Sequence, residues 1–131
     1  TGSMNQLGEV QPVGGINEKI EGFFDVCAAK GLTGKQGVII PKKNVRNLML
    51  KKEVIETVKA GKFAVYPIER VEEGLEILTG AAAGERQPAL AGAYPDGTVN
   101  FLVAKRLKGL AKTLKEFGKG KGTGKKEENK Q

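Results

Sequence analysis

The stretch from Val10 to Lys30, VQPVGGINEKIEGFFDVCAAK, constrains the fold more than any other part of the chain. It reads as the end of a strand, a tight turn at Gly14-Gly15 and an amphipathic helix from Ile16 to Lys30 stopped by Gly31. Advancing about 100° per residue from Ile16 gathers Val26, Phe23, Ile16, Cys27, Ile20 and Phe24 into one apolar arc. Asn17, Glu18, Glu21 and Asp25 fall opposite and predict a water-facing stripe. Lys19 falls inside the apolar arc, between Val26 and Phe23. A lysine held there sheds hydration, which disfavours its charged form, and a neutral amine serves as general base or nucleophile. The plainer reading is a side chain that lays its stem on the apolar face and extends its head to water. Periodicity alone favours the plainer reading.

What the chain lacks narrows the chemistry further. It has no histidine, one serine (Ser3) and one cysteine (Cys27). No Ser-His-Asp or Cys-His arrangement can be built from these residues, and a histidine- or cysteine-based metal site is equally excluded. Lysine is then the natural candidate for a base. Cys27 has no partner for an internal disulfide, which fits a reducing, cytoplasmic setting. The N-terminal TGSMNQLGEV has neither a basic start nor an apolar core of a signal peptide. No run approaches the roughly 18 apolar residues of a membrane span, so no membrane partner is expected.

Taken in order, residues 1–13 read as two short strands joined by a turn at Leu7-Gly8, and an abrupt start inside a strand suggests that more chain lies upstream. Within the first helix, Gly22 at the margin of the polar face predicts close packing. GVIIP (37–41) fits a buried strand, and Asn44 is placed to cap a short helical turn through Leu50. A helix over 51–62 with Val54, Ile55 and Val58 as its apolar stripe, a strand FAVYPI (63–68) and a helix over 72–79 with Leu75 and Leu78 inward complete an α/β rhythm. Residues 81–97 read as a Gly-, Ala- and Pro-rich linker, 98–117 as a helix with Leu102, Leu107, Leu110 and Leu114 apolar, and 118–131 as a disordered basic tail.

Charge is distributed unevenly. Residues 1–104 hold 12 basic and 12 acidic side chains, whereas 105–131 hold 10 and 3, so the net +7 resides in the last helix and tail. GTGKK in the tail lacks the G-x-x-x-x-G-K-[ST] spacing of a phosphate loop and a strand-helix frame. A solubilising tail is the favoured reading; contact with nucleic acid is the less favoured one.

Four spaced blocks add a resemblance: Thr1-Gly2, G-E-V-Q-P-V-G-G at Gly8 to Gly15, Glu18-Lys19 and V-I-I-P at Val38 to Pro41. In this order and spacing they resemble the second half of the Lon protease domain, over about residues 1–80, with the archaeal-type branch the nearer likeness. The resemblance implies a partial Lon proteolytic fold and an ATP-dependent serine endopeptidase using a Ser-Lys dyad, with Lys19 as the dyad lysine. It implies that Thr1 supports the dyad through its hydroxyl. The family's nucleophilic serine lies upstream, in a P-x-S-A-G-type motif, and Ser3 is not that residue. The family's ATPase module, with its ATP and magnesium, is likewise expected upstream, so no cofactor is expected within this chain. Protein or peptide substrates, the N-terminal part of the same enzyme and a homo-oligomeric ring, usually a hexamer, are the implied partners. Alone, the chain is expected to be inactive and to expose unpaired sheet edges. An inactive Lon-like remnant and a non-enzymatic basic adaptor are the alternative readings.

Overall fold

A computed structural model describes residues 1–88 and 92–119, in an α/β arrangement of helices with small sheets. The chain divides into two compact units, Thr1–Gly80 and a second beginning at Ala81. The tail expected to be disordered lies, from residue 120 on, outside the described residues.

The first unit opens with an antiparallel hairpin of β1 (Ser3–Met4) and β2 (Val10–Gln11). Its turn is set by Asn5, whose Oδ1 accepts from the N–H groups of Leu7 and Glu9, while Gly8 takes the positive φ of 78° that a side chain would resist. Helix α1 (Ile16–Lys30) follows, then β3 (Gly37–Pro41), a 3-10 helix (Lys42–Asn47), α2 (Lys52–Lys59), β4 (Ala64–Ile68) and α3 (Val71–Thr79). Strands β3 and β4 pair in parallel from Gly37 opposite Ala64 to Pro41 opposite Ile68. The crossover between them runs through the 3-10 helix and α2, as parallel pairing requires.

The core is built where α1 crosses β3. Ile16, Ile20, Phe24 and Cys27 recur on one face of α1 and bury against Ile40, Val54 and Phe63. Phe24 and Phe63 meet edge to face, with centroids 5.3 Å apart and planes at 87°. The hairpin is tied to the far end of β4: Val10 N–H donates to the Glu69 carbonyl and Val71 N–H to that of Gly8. Glu73 then starts α3 by accepting from the N–H groups of Glu69 and Arg70.

Several expectations are corrected by packing. The predicted water-facing stripe of α1 is partly a docking face. Asn17 Nδ2 donates to the Asn47 carbonyl and its Oδ1 accepts from Met49 N–H; Glu21 accepts from Lys51 N–H. Gly22 has open space where a side chain would go, so the close packing expected there is absent. The predicted buried strand β3 is fully buried only at Ile40 and Pro41. Leu78, expected inward, is 75% exposed, and Ile55 is also exposed. Asn44 does not cap a helix through Leu50; the short helix is 3-10, ends at Asn47 and starts after Pro41.

In the second unit, residues 81–88 and 92–98 lead into α4 (Val99–Lys119). Val99 and Asn100 N–H groups donate to the Ala82 and Ala83 carbonyls, and Asn100 Nδ2 donates to that of Gly84. Arg86 Nε donates to the Tyr94 hydroxyl and its guanidinium lies over that ring, 5.4 Å from the centroid.

Candidate functional site

The site is built on the turn that starts α1. Gly15 takes the left-handed conformation, φ 63° and ψ 33°, immediately before the first helical residue. A β-carbon is disfavoured there, which accounts for one of the paired glycines. At Gly14 a side chain would meet nothing within 4 Å. Among the described residues, no segment closes over the turn at that position.

Asn44 fixes the loop that leads into this turn. It is buried, 5% exposed, and its side chain grips Val13 at both main-chain groups. Val13 N–H donates to Asn44 Oδ1 at 3.0 Å, and Asn44 Nδ2 donates to the Val13 carbonyl at 3.0 Å. A buried amide satisfied this way holds a loop that has no ladder of its own. Asn44 in turn follows the end of β3, so the sheet, through Asn44, sets where the Gly14-Gly15 turn begins.

Lys19 sits at the end of the first turn of α1, where its N–H makes the helix's opening bond to the Gly15 carbonyl at 3.2 Å. Its Nζ donates to the carbonyl of Gly14 at 3.1 Å. The residue is exposed. The neighbours that bracket it on the helical wheel are exposed as well, Val26 at 52% and Phe23 at 44%. The apolar arc is therefore buried only along the Ile16–Cys27 line, and the loss of hydration expected at Lys19 is not observed. Its ammonium is fastened to a main-chain carbonyl instead.

Phe23, one turn further along the same side of α1, lines an open apolar groove of about 510 Å³. Thr1, Ser3 and Met4 of the hairpin, Val38 and Ile39 of β3, and Leu75 and Leu78 of α3 line it too. Thr1 is exposed, and its main-chain nitrogen donates to the Ile39 carbonyl at 2.6 Å. Among the described residues no hydrogen bond joins Thr1 to Lys19. Ser3 Oγ donates to Gln11 Oε1 at 3.3 Å, across the hairpin. The structure thus places Thr1 and Ser3 in the groove with Phe23, and Lys19 a turn away on the loop side. Among the described residues no group of three or more His, Cys, Asp or Glu side chains could hold a metal ion.

Sequence reasoning missed Asn44 and Asn17 as the residues that hold α1 and its entry loop. The signal available was slight: each is an amide beside an isolated apolar residue, Ile16 before Asn17 and Val45 after Asn44, where a side chain that is not capping must find another partner.

No family model matches the chain. Curated relatives do. A putative Lon protease homolog of Escherichia coli (strain K12) is 54% identical over 78 residues, which is 60% of this chain and 13% of that protein. A putative Lon protease homolog of Haemophilus influenzae is 51% identical over 80 residues, covering 61% of this chain and 13% of that protein. An archaeal Lon protease of Archaeoglobus fulgidus is 40% identical over 76 residues, 58% of this chain and 10% of that protein. The chain therefore matches a small part of much longer proteins.

Proposed function

We propose that this chain, Lon-related over about 60% of its length, supplies the lysine half of a Ser-Lys dyad in an ATP-dependent serine endopeptidase. The observation that carries the reading is Lys19. It stands at the start of α1 on a turn fixed by Asn44, with its amine on the Gly14 carbonyl and open space at Gly14 beside it.

General-base action needs the neutral amine in a site from which water is excluded. In the proposed enzyme the serine-bearing segment, which the resemblance places upstream, lies over the turn and displaces that water. Lys19 then takes the serine proton as the hydroxyl attacks a peptide carbonyl, and returns it to the leaving amine. Thr1 is assigned a supporting role in the groove through its hydroxyl. Ser3 is assigned none, because its hydroxyl is spent across the hairpin. ATP and magnesium, which the resemblance assigns to a module outside this chain, take no part in the chemistry of Lys19. Protein substrates and assembly into a ring follow from the same reading.

The reading frame just upstream of Thr1 tests it. A continuous frame containing a P-x-S-A-G-type motif supports the dyad, and a stop codon in that stretch makes the chain an inactive remnant.

A further inference from the structure

The net charge of the chain and an exposed apolar stripe coincide on α4. On a helical wheel Val103, Leu107, Leu110 and Leu114 fall within about 60° of one another, and each is between 45% and 72% exposed. Lys105, Lys108, Lys112 and Lys115 fall on the opposite side. Over Val99–Lys119 there are six basic residues and one acidic, Glu116, while residues 1–104 are balanced at 12 and 12. The segment before α4, where described, meets the helix on another side. Its Arg86 and Tyr94 line a hollow with Phe101, Ala104 and Lys108, on the other side of the helix.

We propose that α4 docks lengthwise on an anionic lipid bilayer, its Val103–Leu114 stripe at the acyl boundary and its lysines drawn to acidic headgroups. This inference is independent of Lys19. A duplex nucleic acid would answer the lysines and leave the leucines wet. A second copy of the helix would bury the leucines and double the charge. A bilayer with acidic headgroups answers both features at once. An acidic protein groove does so too, but partner pockets draw their energy from aromatic and arginine anchors, and this stripe is aliphatic. Side chains repeated at every turn suit a fluid apolar medium. The helix is about 10 Å across and such a helix sinks its apolar face about 5–10 Å into the headgroup boundary, which brings the lysine side to headgroup level. Lys121, Lys125, Lys126 and Lys130 follow in sequence, against Glu127 and Glu128. An apolar helix face joined to a polybasic run is the two-signal combination that stable membrane attachment needs. No described helix is long and apolar enough to cross a membrane; the sequence-based expectation of no membrane partner rested on that absence, which surface docking does not require.

The test is co-sedimentation of the whole chain with phosphatidylserine–phosphatidylcholine vesicles and with phosphatidylcholine vesicles alone. Partition to the acidic vesicles is expected to be tighter by about tenfold or more, to weaken as salt rises, and to fall in both L110E and the triple variant K108E/K112E/K115E. Far-UV circular dichroism of each variant checks that the exposed substitutions leave the fold intact. Absent binding to acidic vesicles, or equal binding to both kinds, overturns the proposal. So does undiminished binding by L110E, which would make the attraction one of charge alone. A dimer in solution that L110E dissolves, or tighter binding to duplex DNA or to calmodulin than to acidic vesicles, reassigns the stripe to another partner and overturns it as well.

Discussion

Asn44 holds Val13 by both of that residue's main-chain polar groups, at 3.0 Å each, across 31 positions of sequence. This pair joins the end of β3 to the loop that launches α1, and so sets the position of Lys19 relative to the sheet. Replacing Asn44 with alanine leaves the part-buried N–H and carbonyl of Val13 without these partners. The expected cost is about 2–4 kcal/mol, measured as a lower urea midpoint with an unchanged slope. Asn44→Asp keeps an acceptor for the Val13 N–H but sets a carboxylate oxygen against the Val13 carbonyl, and is expected to be no better than alanine.

The parallel pair β3–β4 depends on the missing side chain at Gly37. A β-carbon there would lie 2.7 Å from the Ala64 carbonyl oxygen and 2.8 Å from the Tyr66 ring. Gly37→Ala is expected to destabilise the chain by about 1–3 kcal/mol. Gly22→Ala, in the interior of α1 with open space around it, is expected to stabilise by about 0.5–1 kcal/mol. Thermal unfolding of the two variants should therefore shift in opposite directions. A shift of the same sign in both would contradict this account of the two glycines.

The contact between Phe24 and Phe63 joins α1 to the start of β4 at the centre of the core. Phe63→Ala removes a ring that also lies 6.2 Å from Phe23. The expected loss is about 3–5 kcal/mol, enough to leave the first unit unfolded or marginal, with near-UV circular dichroism as the readout. Phe63→Leu keeps most of the volume and is expected to lose markedly less.

Much of the first unit was legible because short-range physics decides it. The helix from Ile16 to Lys30 and the strand at Gly37–Pro41 are bounded as periodicity and the glycine and proline stops require. What was not legible came from tertiary choices. Asn17 and Glu21 occupy a face that a wheel assigns to water, and only the return of residues 47–51 against α1 makes them partners. Lys19 belongs to an apolar arc on the wheel. The core follows the Ile16–Ile20–Phe24–Cys27 line, which leaves Val26, Phe23 and Lys19 outside. Asn44 reads as a helix cap in isolation because its actual partner, Val13, is distant in sequence. The site was thus named from the four spaced blocks and not from burial.

The central claim is that Lys19 is the base of a dyad completed by an upstream serine. The most direct measurement, made on the proposed serine-containing enzyme, compares cleavage of an unfolded protein substrate by the parent with cleavage by its Lys19→Ala variant. Because Lys19 is exposed, thermal stability is expected to change by no more than about 0.5 kcal/mol. Cleavage is expected to fall by about 10²-fold or more. Cleavage in the Lys19→Ala variant within about twofold of the parent, far from the loss a missing general base imposes, would contradict the assignment.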